Sequence, residues 1–471
     1  MENTQIRENK MGVLPIGKLI ISMSLPIMIS MLVQALYNIV DSVFVSMVSQ
    51  EALNAVSLAF PAQNLMIAFG TGTAVGINAL VSRALGARDP KHANRVALNG
   101  VLIAACCYII FLLFGLFGAR AFFAFQTTNE TVIQYGCDYL SIVCGLSFGL
   151  FGQLTFERLL TSTGKTVLTM ISQGIGAIFN IIFDPIFIFV FKMGVAGAAL
   201  ATVLGQMIAC VVAILFNVKK NHELQLSFRG FHPQWDIIRS ICAIGIPSII
   251  MIAVGSVMTF LYNIILFNYT AGGIYTQNVF GIYFKLNSFV FMPVFGMNNG
   301  LIPIIAYNYG AEKRSRMTQA IRLGVLFAAV IMAVGTLVFM VIPDKLLAIF
   351  ISNASAEETA AMLSIGVPAL RIISTHFILA AISIVMNASF QALGKGTYSM
   401  ITSICRQLVI LLPAAYALAR IGMKVGNDSL VWISFPVAEI VSLIVTILLY
   451  IRLNRNVISK VGDDGVSARA A

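Results

Sequence analysis

Twelve long runs of apolar residues follow one another along the chain and leave room only for short connections. Each run is about 20 residues or longer, which is the length an α-helix needs to cross the hydrocarbon core of a bilayer. The bilayer core offers no hydrogen-bond partners, so the backbone of each run must satisfy itself as a helix. The sequence therefore predicts an all-α polytopic membrane protein with 12 transmembrane helices. Their predicted bounds are 17–46, 52–81, 96–118, 131–156, 166–191, 195–217, 240–267, 275–307, 321–342, 359–390, 398–419 and 429–451.

The charged residues are few and lie between these runs. Of all residues, 59% are hydrophobic and 10% are charged, whereas soluble domains are about one quarter charged. The net charge is +11, but its distribution argues against a nucleic-acid partner. With the N-terminus placed in the cytoplasm, 22 of the 30 Lys and Arg residues fall on the cytoplasmic side and five on the outer side. This asymmetry follows the positive-inside rule and predicts that both termini are cytoplasmic.

Short segments recur in the two halves of the chain in the same order. Leu36-Tyr37-Asn38-Ile39 returns as Leu261-Tyr262-Asn263-Ile264, and Gly86-Ala87 returns as Gly310-Ala311. Six predicted spans separate the copies, and an even number leaves both copies in one orientation. We therefore expect parallel repeats related by an axis along the membrane normal. The predicted domains are an N-lobe (1–217), a cytoplasmic linker (218–239) and a C-lobe with a cytoplasmic tail (240–471).

Two carboxylates fall inside the predicted spans of the N-lobe, Asp41 and Asp184. A charged group at the centre of a membrane span costs about 2.5–3.5 kcal/mol on insertion scales, so such residues usually have a function. Pro185 follows Asp184 and removes a backbone donor, which frees carbonyl groups nearby. Two carboxylates in one cavity would repel each other, and this repulsion favours reversible proton binding. Neutral oxygens beside them could instead complete a Na⁺ site.

Other polar residues share helix faces with these acids. In the first span, Gln34 and Asn38 lie on the face of Asp41, with Tyr37 beside them. In the fifth span, Gln173 and Asn180 lie on the face of Asp184. We expect these stripes to meet in one water-filled cavity in the N-lobe. Further residues predicted to line the substrate cavity are Asn64, Gln153, Glu157, Gln206, Tyr283, Met292 and Glu439.

Four motifs together carry a resemblance to a known family. They are Gly86-Ala-Arg-Asp89 after the second span, Asn180-Ile-Ile-Phe-Asp184-Pro185, the segment Gly194–Thr202, and Ile302-Pro-Ile-Ile-Ala-Tyr-Asn308. In this order the chain resembles the multidrug and toxic compound extrusion (MATE) transporters, specifically the prokaryotic multidrug branch with an acid pair in the N-lobe.

The resemblance implies a fold, a function and a site. The fold is V-shaped, with two pseudo-symmetric six-helix lobes in a bacterial cytoplasmic (inner) membrane. The function is a secondary antiporter that exports lipophilic organic cations in exchange for H⁺ or Na⁺. The implied ion-coupling site consists of Asp41, Asn180, Asp184 and Thr202. No cofactor or resident metal is expected, and the transporter is expected to be a monomer.

The second half lacks the acid pair, because the repeat places Leu266 opposite Asp41 and Ala414 opposite Asp184. Glu157 is interpreted either as an attractor of cationic substrates or as a solvated helix end. Glu439 is interpreted either as a substrate contact or as half of a buried pair. The roles of the basic residues Lys285, Arg371 and Arg406 stay open at this stage.

Two other functions compete with drug export. A flippase for lipid-linked saccharides, built on a related fold, would favour a cationic cavity, and the basic residues of the second half keep it open. A membrane-embedded enzyme would need a nucleophile–base or metal constellation. The four histidines are scattered without metal-ligand spacing, so we do not expect an enzyme.

Overall fold

The computed structural model describes residues 9–227, 229–351 and 355–462, and within these ranges every regular element is a helix. Among the described residues, ten helices are long and apolar enough to cross a membrane. Two further pairs of helices, each bent at a short break, bring the number to twelve when each pair counts as one span. The prediction of an all-α polytopic membrane protein is confirmed.

The helices that precede residue 221, here called the N-half, form a first bundle. Polar caps begin several of them: Ser49 accepts from the amide of Ala52, and Asp89 accepts from that of His92. The elements are α1 Lys10–Val13, α2 Ile16–Ser46, α3 Gln50–Gly86, α4 Pro90–Leu113 with a π-helical turn Phe114–Gly118, α5 Ala119–Ala124, α6 Glu130–Gly145, α7 Phe148–Ser162, α8 Thr166–Pro185 with a π-helical turn Ile186–Val190, and α9 Gly194–Lys220.

The helices that follow residue 234, here called the C-half, form a second bundle with the same order of long and broken spans. The elements are α10 Trp235–Tyr269, α11 Ile274–Gly310, α12 Arg314–Val341, α13 Pro343–Ala348, α14 Ala356–Ser374, α15 Phe377–Ala392, α16 Gly396–Ile404 with a π-helical segment Cys405–Ile410, α17 Leu411–Val425, the 3-10 helix Asp428–Ile433, α18 Ser434–Asn456 and the 3-10 helix Ile458–Lys460. The exact domain limits at residues 217 and 240 stay a prediction.

Two predicted spans are broken, which corrects their continuous bounds of 131–156 and 359–390. The axis bends by 42° between α6 and α7 and by 48° between α14 and α15. At both breaks, hydroxyl side chains bond to nearby carbonyl groups: Ser147 donates to Cys144 O (2.7 Å) and Thr375 donates to Ile372 O (2.7 Å). These bonds compete with the helical ladder and allow the chain to bend.

Pairs of glycines bring the two halves together. Gly72 and Gly76 of α3 face α10, and Gly296 and Gly300 of α11 face α2. A Cβ atom at Gly76 would lie 2.6 Å from the carbonyl oxygen of Ile241. Spacing small residues by four lets helix backbones approach closely in a membrane. The contact between the halves therefore repeats the internal symmetry of the sequence.

The halves touch at one end of the molecule and separate toward the other. The connecting segments at one end carry most of the lysine and arginine residues, and this end is here called the basic face. There the guanidinium of Arg83 stacks 4.6 Å from the ring centre of Tyr309. Near the helix midpoints, Asn64 of α3 donates to Ser256 of α10. One turn beyond, Phe60 is 61% exposed and Phe260 is 67% exposed. The space between the halves thus opens away from the basic face.

The segment around α1 connects both halves at the basic face. Asn9 donates to Thr163 O (3.1 Å) and to the Glu223 carboxylate (2.6 Å) of the N-half side. From the C-half, Asn308 donates to Met11 O (3.1 Å) and Arg316 donates to Leu14 O (2.7 Å). Burial raises the pKa of Glu223, and the hydrogen bond from Asn9 and the nearby lysines act against that rise.

Candidate functional site

The two membrane carboxylates meet inside the N-half. Asp184 lies at the end of α8, is fully buried, and is followed by Pro185 and the π-helical turn Ile186–Val190. Its carboxyl group is within hydrogen-bonding reach of that of Asp41 on α2. One oxygen of each group, Oδ1, is buried and has no hydrogen-bond partner among the described residues. Buried polar atoms are normally satisfied, so this pair has capacity for a proton or a cation.

Asn180 links the acid pair to α9. Its side-chain amide lies 3.3 Å from Thr202 Oγ1 and 3.3 Å from Asp184 Oδ2. The amide orientation that satisfies all three residues donates to Asp184 and accepts from the Thr202 hydroxyl and amide. The structure therefore brings Asp41, Asn180, Asp184 and Thr202 together from α2, α8 and α9. Their role in ion coupling stays a prediction.

A cavity of about 80 Å³ lies next to this cluster. At ~10–15 Å³ per water, it has room for several water molecules. Six of the predicted residues line it: Gln34, Tyr37, Gln153, Asn180, Thr202 and Gln206. Ser30 and Gln173 also line it. The spacing of Gln173 predicts its place on the face of Asp184, whereas the sequence carries no such signal for Ser30. Asn38, on the same helix, is exposed and is not among the lining residues.

Glu157 lies deeper in the N-half and is only 2% exposed, so its interpretation as a solvated helix end is wrong. Its carboxylate accepts from Ser172 Oγ (2.8 Å), Gln153 Nε2 (3.0 Å) and Gln173 Nε2 (2.6 Å). Gln153 and Gln173 also line the cavity, so Glu157 forms a second polar layer behind its wall. No arginine or lysine forms an ion pair with Glu157 in the described part of the chain.

The C-half repeats part of this hydrogen-bonded arrangement without the charge. With the offset of 230 that pairs Gly164-Lys165 with Gly394-Lys395, Glu157 corresponds to Asn387. Thr402 donates to Asn387 Oδ1 (2.8 Å), as Ser172 does to Glu157. Ser399 donates to the main-chain carbonyl of Asn387 (3.0 Å), as Thr169 does to that of Glu157 (3.2 Å). The hydrogen bonds thus belong to the shared scaffold, and the carboxylate is particular to the N-half.

Glu439 is half of a buried pair, as one of the two interpretations of the sequence predicts. Arg406 Nη1 lies 3.2 Å from its Oε2, and Ser383 donates to its Oε1 (2.7 Å). Tyr283 is buried close to this pair, and Met292 is half-buried on the same helix. Asn64 lies apart from both polar clusters, at the contact between the halves. Lys285 and Arg371 are exposed.

The cluster in the N-half suits ion exchange better than covalent chemistry. Two carboxyl groups within hydrogen-bonding reach can share one proton, and Asn180 and Thr202 add neutral oxygens of the kind that Na⁺ also accepts. Among the described residues, no group of three or more His, Cys, Asp or Glu side chains is placed to hold a metal ion.

A family model matches both halves of the chain. The family model described as MatE matches residues 26–186 and 247–417. The multidrug export protein MepA of Staphylococcus haemolyticus is 27% identical over 447 residues, which cover 94% of this chain and 96% of MepA. MepA of Staphylococcus aureus is 24% identical over 442 residues, which cover 94% of this chain and 95% of that protein.

Solved structures show the same fold. A crystal structure of MATE in complex with MaL6 has a TM-score of 0.89 at 24% identity and covers 97% of this chain and 100% of its own. An outward-facing structure of a multidrug resistance MATE family transporter has a TM-score of 0.87 at 26% identity and covers 96% and 99%. The family model covers both repeats, and the structural agreement covers nearly the whole length, so the chain belongs to the MATE family of transporters.

Proposed function

We propose that this transporter is a multidrug efflux antiporter that exports lipophilic organic cations in exchange for H⁺ or Na⁺. The observation that carries the proposal is the proximity of Asp41 and Asp184 within the membrane-spanning helices of the N-half, next to a polar cavity. Ionisable groups in such a position are costly and usually mark an ion or substrate pathway. The similarity to proteins named multidrug export protein MepA supports the substrate class.

The orientation follows from the charge distribution. We place the basic face in the cytoplasm of a bacterial cell and both termini on that side, because basic loops are retained there. In this orientation the space between the halves opens to the outside. Residues 1–217 and 240–471 would act as two lobes joined by 218–239, and one chain contains both lobes, so a monomer suffices.

Transport would couple the acid pair to the relative position of the lobes. An ion shifts the equilibrium between inward and outward states only if it binds one of them more tightly. In the outward-open state, the acid pair has unsatisfied oxygens that a proton or Na⁺ can stabilise. Two carboxyl groups this close favour sharing one proton over carrying two negative charges, which makes H⁺ the first ion to test.

The flippase alternative loses support from the geometry. It rests on a cationic cavity in the second half, but Arg406 is neutralised by Glu439. Lys285 and Arg371 are exposed, and Lys285 lies 5.7 Å from the ring centre of Phe350. The N-half cavity is lined by neutral residues, and the acid pair lies next to it, which suits cationic substrates.

The test is efflux of ethidium in inverted membrane vesicles with an imposed proton or sodium gradient. Asp184→Asn preserves size and removes the ionisable group, so we expect gradient-driven efflux to fall at least about tenfold, to near background. Asp138→Asn is the matched control, since Asp138 is exposed in the same half and its substitution should leave efflux within about twofold. Full efflux by the Asp184→Asn protein would show that the acid pair has no role in coupling.

A further inference from the structure

The wall of the N-half cavity has a counterpart of different chemistry in the C-half. The offset of 230 places Arg406 at the position of Gly176, Glu439 at that of Ala209 and Ser383 at that of Gln153. Gly176 and Gln153 line the N-half cavity, and a Cβ at Gly176 would lie 2.9 Å from Ala209 Cβ. A contact of two small residues in one half is therefore an ion pair in the other.

The ion pair is asymmetric in its exposure. The side chain of Glu439 is 2% exposed, and both its oxygens are bonded, one to Arg406 and one to Ser383. The side chain of Arg406 is 30% exposed. A guanidinium has five N–H donors, and only the one to Glu439 forms a hydrogen bond with the described residues. The open side of the pair is thus a fixed hydrogen-bond donor.

Arg406 lies within the C-half bundle. It is the second residue of the π-helical segment Cys405–Ile410, and such segments often occur at functional sites. It is close enough to Tyr283 of α11 and to His376, at the break between α14 and α15, to act on both electrostatically. The next residue, Gln407, is buried and lies 3.4 Å from the position a Cβ at Gly255 of α10 would occupy. Arg406 therefore lies between Glu439 of α18 and the groups of α11 and of the α14–α15 break, at the position in the C-half that corresponds to Gly176 in the N-half.

We propose that Arg406, held by Glu439, binds the carboxylate of substrates that carry both a carboxylate and a cationic group. This inference rests on the proposed export of organic cations and adds a second recognised group. Arginine binds carboxylates through charge-assisted and often bidentate hydrogen bonds. Glu439 fixes the orientation of the guanidinium and lowers the cost of keeping it in a medium of low dielectric constant.

A pair of dyes tests this inference directly. Rhodamine 110 carries a free carboxylate on a cationic ring system, and rhodamine 123 is its methyl ester. Their binding to the purified full-length protein in nanodiscs is measured at equilibrium by fluorescence anisotropy. We expect Arg406→Gln to weaken rhodamine 110 about tenfold, or ~1.4 kcal/mol, and to change rhodamine 123 less than about twofold.

Because Arg406→Gln leaves a buried charge on Glu439, a second variant removes both charges. The double variant Arg406→Gln/Glu439→Gln should fold and show the same selective loss of rhodamine 110. Arg371→Gln, at an exposed arginine of the same half, should leave both dyes unaffected. Equal weakening of both dyes, or unchanged binding of rhodamine 110 by the folded double variant, would overturn the inference.

Two outcomes for the unmodified protein separate this inference from the proposed function. If it binds rhodamine 123 but not rhodamine 110, the carboxylate site is wrong and cation export stands. If it binds neither dye nor ethidium, the proposed substrate class fails, and the carboxylate site fails with it.

Discussion

At the scale of single residues, the two halves use one scaffold for different electrostatics. Glu157 and Asn387 occupy equivalent positions and accept equivalent hydrogen bonds from Ser172 and Thr402. Because Asn387 is an amide, this hydrogen bond forms in the C-half without a charge. When ionised, the carboxylate of Glu157 adds a negative potential behind the wall of the N-half cavity, which the amide of Asn387 does not.

This comparison predicts the effect of Glu157→Gln. The variant should fold, because the uncharged side chain of Asn387 accepts the equivalent hydrogen bond in the C-half. It should bind dications such as dequalinium on the order of 100-fold less tightly, since a unit charge roughly 10 Å away at an effective dielectric constant of 20 contributes ~1.7 kcal/mol for each of the two substrate charges. The loss for monovalent ethidium should be clearly smaller, and titration of both dyes against the purified protein measures the difference.

Asn387→Asp provides the matched comparison. It introduces a carboxylate at the equivalent position of the C-half, where we expect tighter binding of the dication. Equal weakening of both dyes by Glu157→Gln would instead indicate a structural change in the cavity.

At the scale of helices, glycines determine how the halves meet. The contacts of α3 with α10 and of α11 with α2 depend on backbones that approach without side chains between them. The positions Gly72, Gly76, Gly296 and Gly300 follow the same offset of 224 that relates Gly86 to Gly310. Symmetric surfaces of this kind can separate and close as units, which suits a rocking motion.

A single methyl group should disturb this contact. Gly76→Ala places a Cβ 2.6 Å from the main-chain oxygen of Ile241, and overpacking of this kind costs about 1–3 kcal/mol. We expect a lower thermal unfolding midpoint, measured by differential scanning fluorimetry of the purified protein. Gly281→Ala is the control, because a Cβ at Gly281 meets no atom within 4 Å; an equal shift in both proteins would contradict a specific role for Gly76.

At the scale of the whole molecule, the two halves touch at the basic face and separate on the other side. The segment around α1 adds hydrogen bonds to both halves on the closed side. The orientation of this arrangement in the membrane decides whether the cavity opens to the outside or to the cytoplasm. The charge distribution predicts the outside.

Thiol labelling in intact cells tests this orientation on a background without the native cysteines. Cysteines at Arg120 and Lys192 should react with an impermeant maleimide from outside, because we place both positions on the outer side. Cysteines at Lys219 and Lys313 should react only after permeabilisation. A site near Asn353, also predicted to be outside, lies beyond the described residues. The reverse pattern of labelling would invert the topology.

The sequence alone determined the class of the fold, the number of spans and the internal repeat. Hydropathy, charge distribution and repeated motifs are properties of the linear chain, so they can be determined from the sequence without a structure. Spacing along single helices also placed Gln34, Tyr37 and Asn180 on helix faces that line the cavity. These predictions succeed because the helical period is known in advance.

Only the tertiary structure decided how faces of different helices meet. The rotation of each helix depends on its packing partners, and spacing within one helix does not contain that information. For this reason Glu157 is buried rather than solvated, Glu439 is bonded to Arg406, and Asn64 lies at the contact between halves. The breaks in two spans likewise depend on hydroxyl groups that bond to carbonyls locally, while hydropathy continues unbroken across them.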